Sequence, residues 1–202
     1  MNWRRCMAVA LLLSGTCLAS ADIVEIGEFT GDMFEGFENI SSPGGLPSPI
    51  DICDGQATLD DTLAHTIMIA NSLYSFPTDE YIYPYNGNLM GGSVTGWAAI
   101  EFDTPVTDFG SFIGTADELN DSLVTFYDDQ GAVIASMPIV IEHPLWAWHG
   151  WHSDTPIKRV EFLADTNPGK PLVFDDLRAT VPEPGALALL AIGVAALLRR
   201  RL

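Results

Sequence analysis

The chain has 202 residues, 48% of them hydrophobic, and carries 27 acidic residues against nine basic ones for a formal net charge of −18. One ordinary domain fits that length. So acidic a surface repels phosphate backbones and anionic headgroups, which argues against nucleic acid and acidic lipid as partners and favours solubility and divalent cations.

The N-terminus reads as a secretory signal. Arg4 and Arg5 precede an apolar stretch from Met7 to Leu13, and Ala19, Ser20 and Ala21 supply the small-x-small pattern that signal peptidase cuts. Residues 1–21 are therefore expected to be removed, leaving Asp22 first in the mature chain. Thr16 before Cys17 does not fit a lipoprotein signal, which wants Gly or Ala there. Because Cys6 and Cys17 depart with the signal, Cys53 is left alone. No internal disulfide can form, and a small buried thiol is the expected state.

Residues 22–180 are expected to form one domain. Between Ser41 and Asn88 the pattern is least regular: "SSPGGLPSP" is loop, "YIYPYNGN" is a turn-rich excursion, and Thr62–Leu73 fits either a strand around "TIMIA" or a short helix. Beyond it, Val94–Phe102, Ser122–Asp128, Ala132–Val140, Ile157–Ala164 and Pro171–Ala179 are short runs rich in β-branched and aromatic residues, as strands are. Asp128–Gly131 is predicted to close a hairpin, and Thr166–Gly169 to close another before the last strand. With no intervening helical period, this spacing predicts an all-β, antiparallel β-sandwich of jelly-roll-like form.

"PLWAWHGWHSD" (Pro144–Asp154) holds Trp146, Trp148 and Trp151, three of the five tryptophans. On a strand, Trp146 and Trp148 share one face while His149 and Trp151 share the other. One pair could therefore stack on the apolar face of a pyranose as a carbohydrate platform; the competing reading puts these rings in the core. His149 and His152 are spaced for a helix but lie on a strand or turn, so they make no metal pair, and His65 and His143 are isolated. Enzyme signatures are absent. "GGSVT" around Ser93 lacks the closing glycine of a nucleophile elbow, and neither a zinc-protease helix, a phosphate loop nor a full EF-hand loop occurs.

The chain ends "VPEPGALALLAIGVAALLRRRL". Pro182 and Pro184 hold Glu183 in an extended peptide. Residues 185–198 then run without a charge, about 21 Å as a helix and short of a bilayer core about 30 Å thick. Arg199, Arg200 and Arg201 should stay cytoplasmic, with everything before Val181 outside. At these residues the chain resembles the PEP-CTERM proteins of Gram-negative bacteria, whose sorting signal combines Pro-Glu-Pro, a short transmembrane helix and a basic end. The resemblance implies that an exosortase grips residues 181–202, cleaves near them and delivers the protein to the cell surface or extracellular matrix, often beside exopolysaccharide. A plain C-terminal anchor is the alternative.

"FEGF" (Phe34–Phe37), the run Val94–Pro138, "SDTPIKRVEF" (Ser153–Phe162) and "FDDL" (Phe174–Leu177) are similar to the jelly-roll domain common in PEP-CTERM proteins, itself similar to carbohydrate-binding modules. That resemblance implies a structural Ca2+ between first and last strands, at Glu35 and Asp175 with Glu38 and Asp176 as neighbours. Solvated acids at strand ends are the simpler reading. The expectation is an exported, non-enzymatic β-sandwich; a carbohydrate-binding module and a polysaccharide hydrolase are the alternatives.

Overall fold

A computed structural model describes residues 23–40, 43–75 and 78–182. Residues 1–21, expected as a signal peptide, and Asp22, Glu183, Pro184, the apolar run 185–198 and Arg199–Arg201 lie outside these residues. Among the described residues no helix is long and apolar enough to cross a membrane.

Among the described residues, strands follow one another with a single 3-10 turn, Cys53–Gly55, between them. They are β1 (Ile23–Glu25), β2 (Met33–Glu35), β3 (Gly44–Pro47), β4 (Ile50–Ile52), β5 (Ala57–Asp61), β6 (Thr66–Ala70) and β7 (Leu73–Ser75). After these come β8 (Glu80–Ile82), β9 (Met90–Ser93), β10 (Trp97–Gly114), β11 (Leu123–Tyr127), β12 (Val133–Pro138), β13 (Trp146–Leu163) and β14 (Leu172–Thr180). Every pairing is antiparallel.

Two strands of 18 residues, β10 and β13, pair along their whole length, from Trp97 opposite Leu163 to Gly114 opposite Trp146. Their two halves have different neighbours. The first half of β10 pairs with β5 while the matching half of β13 pairs with β11, which carries β12. The second half of β10 pairs with β14, and the matching half of β13 takes β1. β14 in turn carries β2 and β9, and β9 leads on to β6 and β3. Register shifts fall between Glu101 and Asp108 of β10, around Pro105 and opposite Pro156 of β13. Proline, which cannot donate to a ladder, sits where the ladder is already interrupted.

Bending both strands turns the two halves into facing layers, and aromatic rings fill the space between them. Phe102, Phe126 and Phe162 come from one layer, Phe109, Trp151 and Phe174 from the other. Phe109 stacks on Trp151 at 6.0 Å, Phe126 meets Trp151 edge-on at 5.3 Å, and Phe162 lies 5.2 Å from Phe174. All are buried, as is Cys53.

The predicted strands overlap β10, β11, β12, β13 and β14 but catch only the first third of β10 and the last part of β13, and the Asp128–Gly131 hairpin is present: Asp128 Oδ1 accepts the Gln130 and Ala132 N–H groups at 2.9 and 2.8 Å. Thr66–Ala70 is a strand, not a helix. Two expectations need correction. Thr166–Gly169 does not close a hairpin, because β13 and β14 lie on either side of β10; the connection instead donates the Ala164 and Gly169 N–H groups to Gly96 and Thr95. Residues 43–75 and 78–88 are also more regular than the pattern suggests, holding β3 to β8. β4–β5 and β7–β8 are local hairpins of strands only three to five residues long, while β3, β5 and β6 also take partners about 20 or more residues away, which leaves little local signature.

Trp151 is 2% exposed and touches rings from both layers. Trp151→Ala should therefore lower unfolding free energy by about 3–5 kcal/mol, read from urea denaturation, with Trp151→Phe far milder.

Candidate functional site

The β7–β8 hairpin alternates cleanly. Leu73, Ser75 and Ile82 point inward, where Leu73 and Ile82 join Met90, Ala116 and Val173 in a second apolar cluster on the outer side of the sheet. Tyr74 and Tyr81, opposite each other in register, point outward, and Tyr83 continues the row. Water-facing positions on such a hairpin are usually polar, yet here they are aromatic.

These rings form one strip. Tyr74 lies 4.8 Å from Tyr81, and Tyr81 lies 6.2 Å from Tyr83 with planes 16° apart. Trp146 Nε1 donates to the Tyr83 carbonyl at 2.7 Å, and Tyr85, stacked on Phe112 at 3.5 Å, meets Trp146 edge-on at 6.5 Å. Tyr74, Tyr81, Tyr83 and Tyr85 remain 43%, 52%, 62% and 48% exposed. "YIYPY" carried the signal in its alternation, which the proline disguised as a turn.

The three tryptophans separate. Trp146 and Trp148 share the outer face of β13, as their spacing predicts, whereas Trp151 is buried in the core and cannot meet a ligand. Trp148 lies across Gly110 and Gly150, where a β-carbon on either would collide with its indole. Phe29 abuts its edge and the Arg178 guanidinium sits 5.3 Å over its ring. Trp148 thus braces the strip and Trp146 belongs to it.

Strands β2 and β14 do meet, with Glu35 opposite Leu177, and Asp175 and Asp176 both bond Asn86 at 2.9 and 3.5 Å, but no three of the four acids considered for Ca2+ converge. Glu35 accepts the Phe37 and Cys53 N–H groups at 2.6 and 2.8 Å. Glu38 Oε1 accepts those of Asn88 and Leu89 at 2.5 and 2.8 Å. Asp175 takes the N–H groups of Asn86 and Asp176 at 2.9 and 2.8 Å. Asp176 Oδ2 faces Arg178 at 3.5 Å. No group of three or more His, Cys, Asp or Glu side chains able to hold a metal occurs among the described residues. These carboxylates do not fit a calcium shell; Glu38 and Asp175 instead pin the Tyr85–Leu89 loop to the sheet. The histidines are also apart: His149 lies beside Trp151 at 6.0 Å, while His152 Nδ1 bonds Asp108 at 2.7 Å.

The two tethers titrate in opposite senses. Backbone N–H donation from Asn88 and Leu89 lowers the Glu38 pKa from 4.5, so its contribution is complete above that value and lost as pH falls through the lowered one. Burial pushes Asp175 up to about 6, so its contribution is complete below 3.8 and lost as pH rises through about 6.

A cavity of about 460 Å³ opens beside the β11–β12 hairpin and contains Glu101 and Glu161. The Arg159 guanidinium lies between them, 3.9 Å from Glu101 and 2.6 Å from Glu161, and Tyr127 donates to Glu161 at 2.7 Å. A glycoside hydrolase needs an acid and a base facing a sugar; here both carboxylates face one cation.

Residues 180–201 match the PEP-CTERM protein-sorting motif, which directs exosortase-dependent export. Nothing among curated proteins matches the chain. Similar solved structures include the K2 cleaved adhesin domain of Lys-gingipain, at 12% identity and TM-score 0.47 over 74% of this chain and 97% of that one. A family 6 carbohydrate-binding module is similar at 9% identity and TM-score 0.31, over 57% and 82% of the two chains. A family 43 arabinoxylan arabinofuranohydrolase from Bacillus subtilis, solved with cellotetraose, is similar at 15% identity and TM-score 0.35; the match covers 57% of this chain and 24% of the enzyme.

Three outcomes follow from these contacts. Glu38→Ala should speed amide exchange at Asn88 and Leu89 while leaving β10 and β13 protected, and a chelator should leave the melting temperature unchanged. Asp175→Asn should flatten the decline in stability between about pH 4 and pH 6, measured by thermal unfolding across that range.

Proposed function

We propose that this exported, exosortase-processed protein works at the cell surface or in the extracellular matrix. Its non-enzymatic sandwich associates there with exopolysaccharide through Tyr74, Tyr81, Tyr83, Tyr85 and Trp146. The observation that carries this reading is the aromatic strip on the outward side of an otherwise amphipathic hairpin. Tyrosine and tryptophan present an apolar ring and a polar tip, which suits the alternating CH faces and hydroxyls of sugars. Several rings in a row suit an extended chain better than a single sugar. The acidic surface repels polyanions, so a neutral polysaccharide is the preferred class. Ca2+ has no part in this reading. The hydrolase alternative finds no support in the Glu101–Arg159–Glu161 arrangement.

Affinity electrophoresis through gels containing neutral polysaccharides tests the proposal. Retardation by at least one glycan is expected, and Tyr81→Ala or Tyr83→Ala should weaken it by roughly tenfold, equivalent to about 1.4 kcal/mol. Strip variants that bind as well as the parent chain would move glycan binding elsewhere on the molecule.

A further inference from the structure

The last strand and the sorting motif are almost continuous. β14 ends at Thr180, and Pro182 begins Pro-Glu-Pro after a single intervening residue, Val181. That residue is fastened: the Val181 N–H donates to Asp32 Oδ2 at 3.1 Å, and its side chain packs against the core. Gly185, where the apolar run begins, is four residues beyond Val181, a reach of at most about 14 Å. An enzyme that grips Pro182–Pro184 at the membrane must therefore work against the end of the sandwich.

That end is not flat. Val181 and Pro182 lie on the rim of a groove of about 510 Å³, walled by Thr104–Pro105 and Thr155–Pro156, the bends of β10 and β13, and by Asp128–Gln130 at the hairpin tip. Its charged lining residues are Asp128 and Asp129, with no Lys, Arg or His among them. A bilayer with acidic headgroups is repelled by such a rim, whereas apolar prolines inside an acidic edge fit a protein surface offering apolar and basic side chains.

The geometry points to this groove as a docking surface for the membrane peptidase that processes the chain, so that the folded domain as well as Pro-Glu-Pro is read. The inference rests on the exosortase reading of residues 180–201.

The test is pulse–chase conversion of the full-length precursor in an exosortase-bearing host and in one lacking the enzyme. Asp129→Lys with Gln130→Lys reverses the rim and leaves Asp128, which holds the turn, in place. This pair should slow conversion about fivefold with an unchanged melting temperature. In a second chain, a Gly-Ser spacer of about ten residues between Val181 and Pro182, spanning roughly 17 Å, frees the motif from the groove. There the same pair should have no effect. Equal rates in the native-length chain overturn the inference, as does equal slowing in both chains, which would place the effect in export or folding. Should the unsubstituted precursor be converted equally in both hosts, or in neither, the exosortase reading itself falls and the docking surface with it.

Discussion

The antiparallel pairing of β10 with β13 is the constraint on which the rest depends. Both strands run through both layers, so the ladder that joins them must bend where it crosses. The bends are placed at Thr104–Pro105 and Thr155–Pro156, with register shifts between Glu101 and Asp108. Two consequences follow from this single feature. Halves of the same strands face each other, which brings Phe102 within 5.7 Å of Phe109 and lets Trp151 gather rings from both layers. The bends also stand side by side at one end of the molecule and wall the groove where the chain leaves the domain.

On the outer side of the second layer, glycine and aromatic residues are interlocked. Gly110 opposes Gly150 and Gly114 opposes Trp146, so the indoles lie down on bare backbone instead of standing into solvent. The β7–β8 hairpin covers the adjoining surface with Leu73 and Ile82. Its reverse side then becomes the molecular surface, and the tyrosines there are exposed because the hairpin's inner face is occupied.

The acidity of the chain has a structural use that composition conceals. Asp61, fully buried, accepts N–H groups of Leu63, Ala64 and Thr95 and the Ser93 hydroxyl. Asp165 takes those of Asn120 and Asn167 together with the Lys170 ammonium, and sits well below the ordinary carboxylate range for that reason. Glu35, Glu38 and Asp175 do the same for other turns. In a fold made of short strands and many turns, carboxylates satisfy backbone donors that no ladder reaches. Much of the chain's acidity is therefore spent on making turns.

The sequence by itself determined the sorting motif, because Pro-Glu-Pro, an apolar run and terminal arginines are contiguous and need no partner to be read. It also determined the all-β class, the Asp128–Gly131 hairpin and the opposed faces of Trp146 and Trp151, since alternation and turn chemistry act between neighbours in the chain. Only the tertiary structure decided which face of β13 met the core, that β13 and β14 flank β10 instead of forming a hairpin, and that Tyr74, Tyr81 and Tyr85 join Trp146. It likewise decided that Glu35 holds Phe37 and Cys53, Glu38 holds Asn88 and Leu89, and Asp175 and Asp176 both reach Asn86. Those outcomes depend on pairings between residues far apart in the chain, and a strand's own alternation fixes two faces without saying what will cover either.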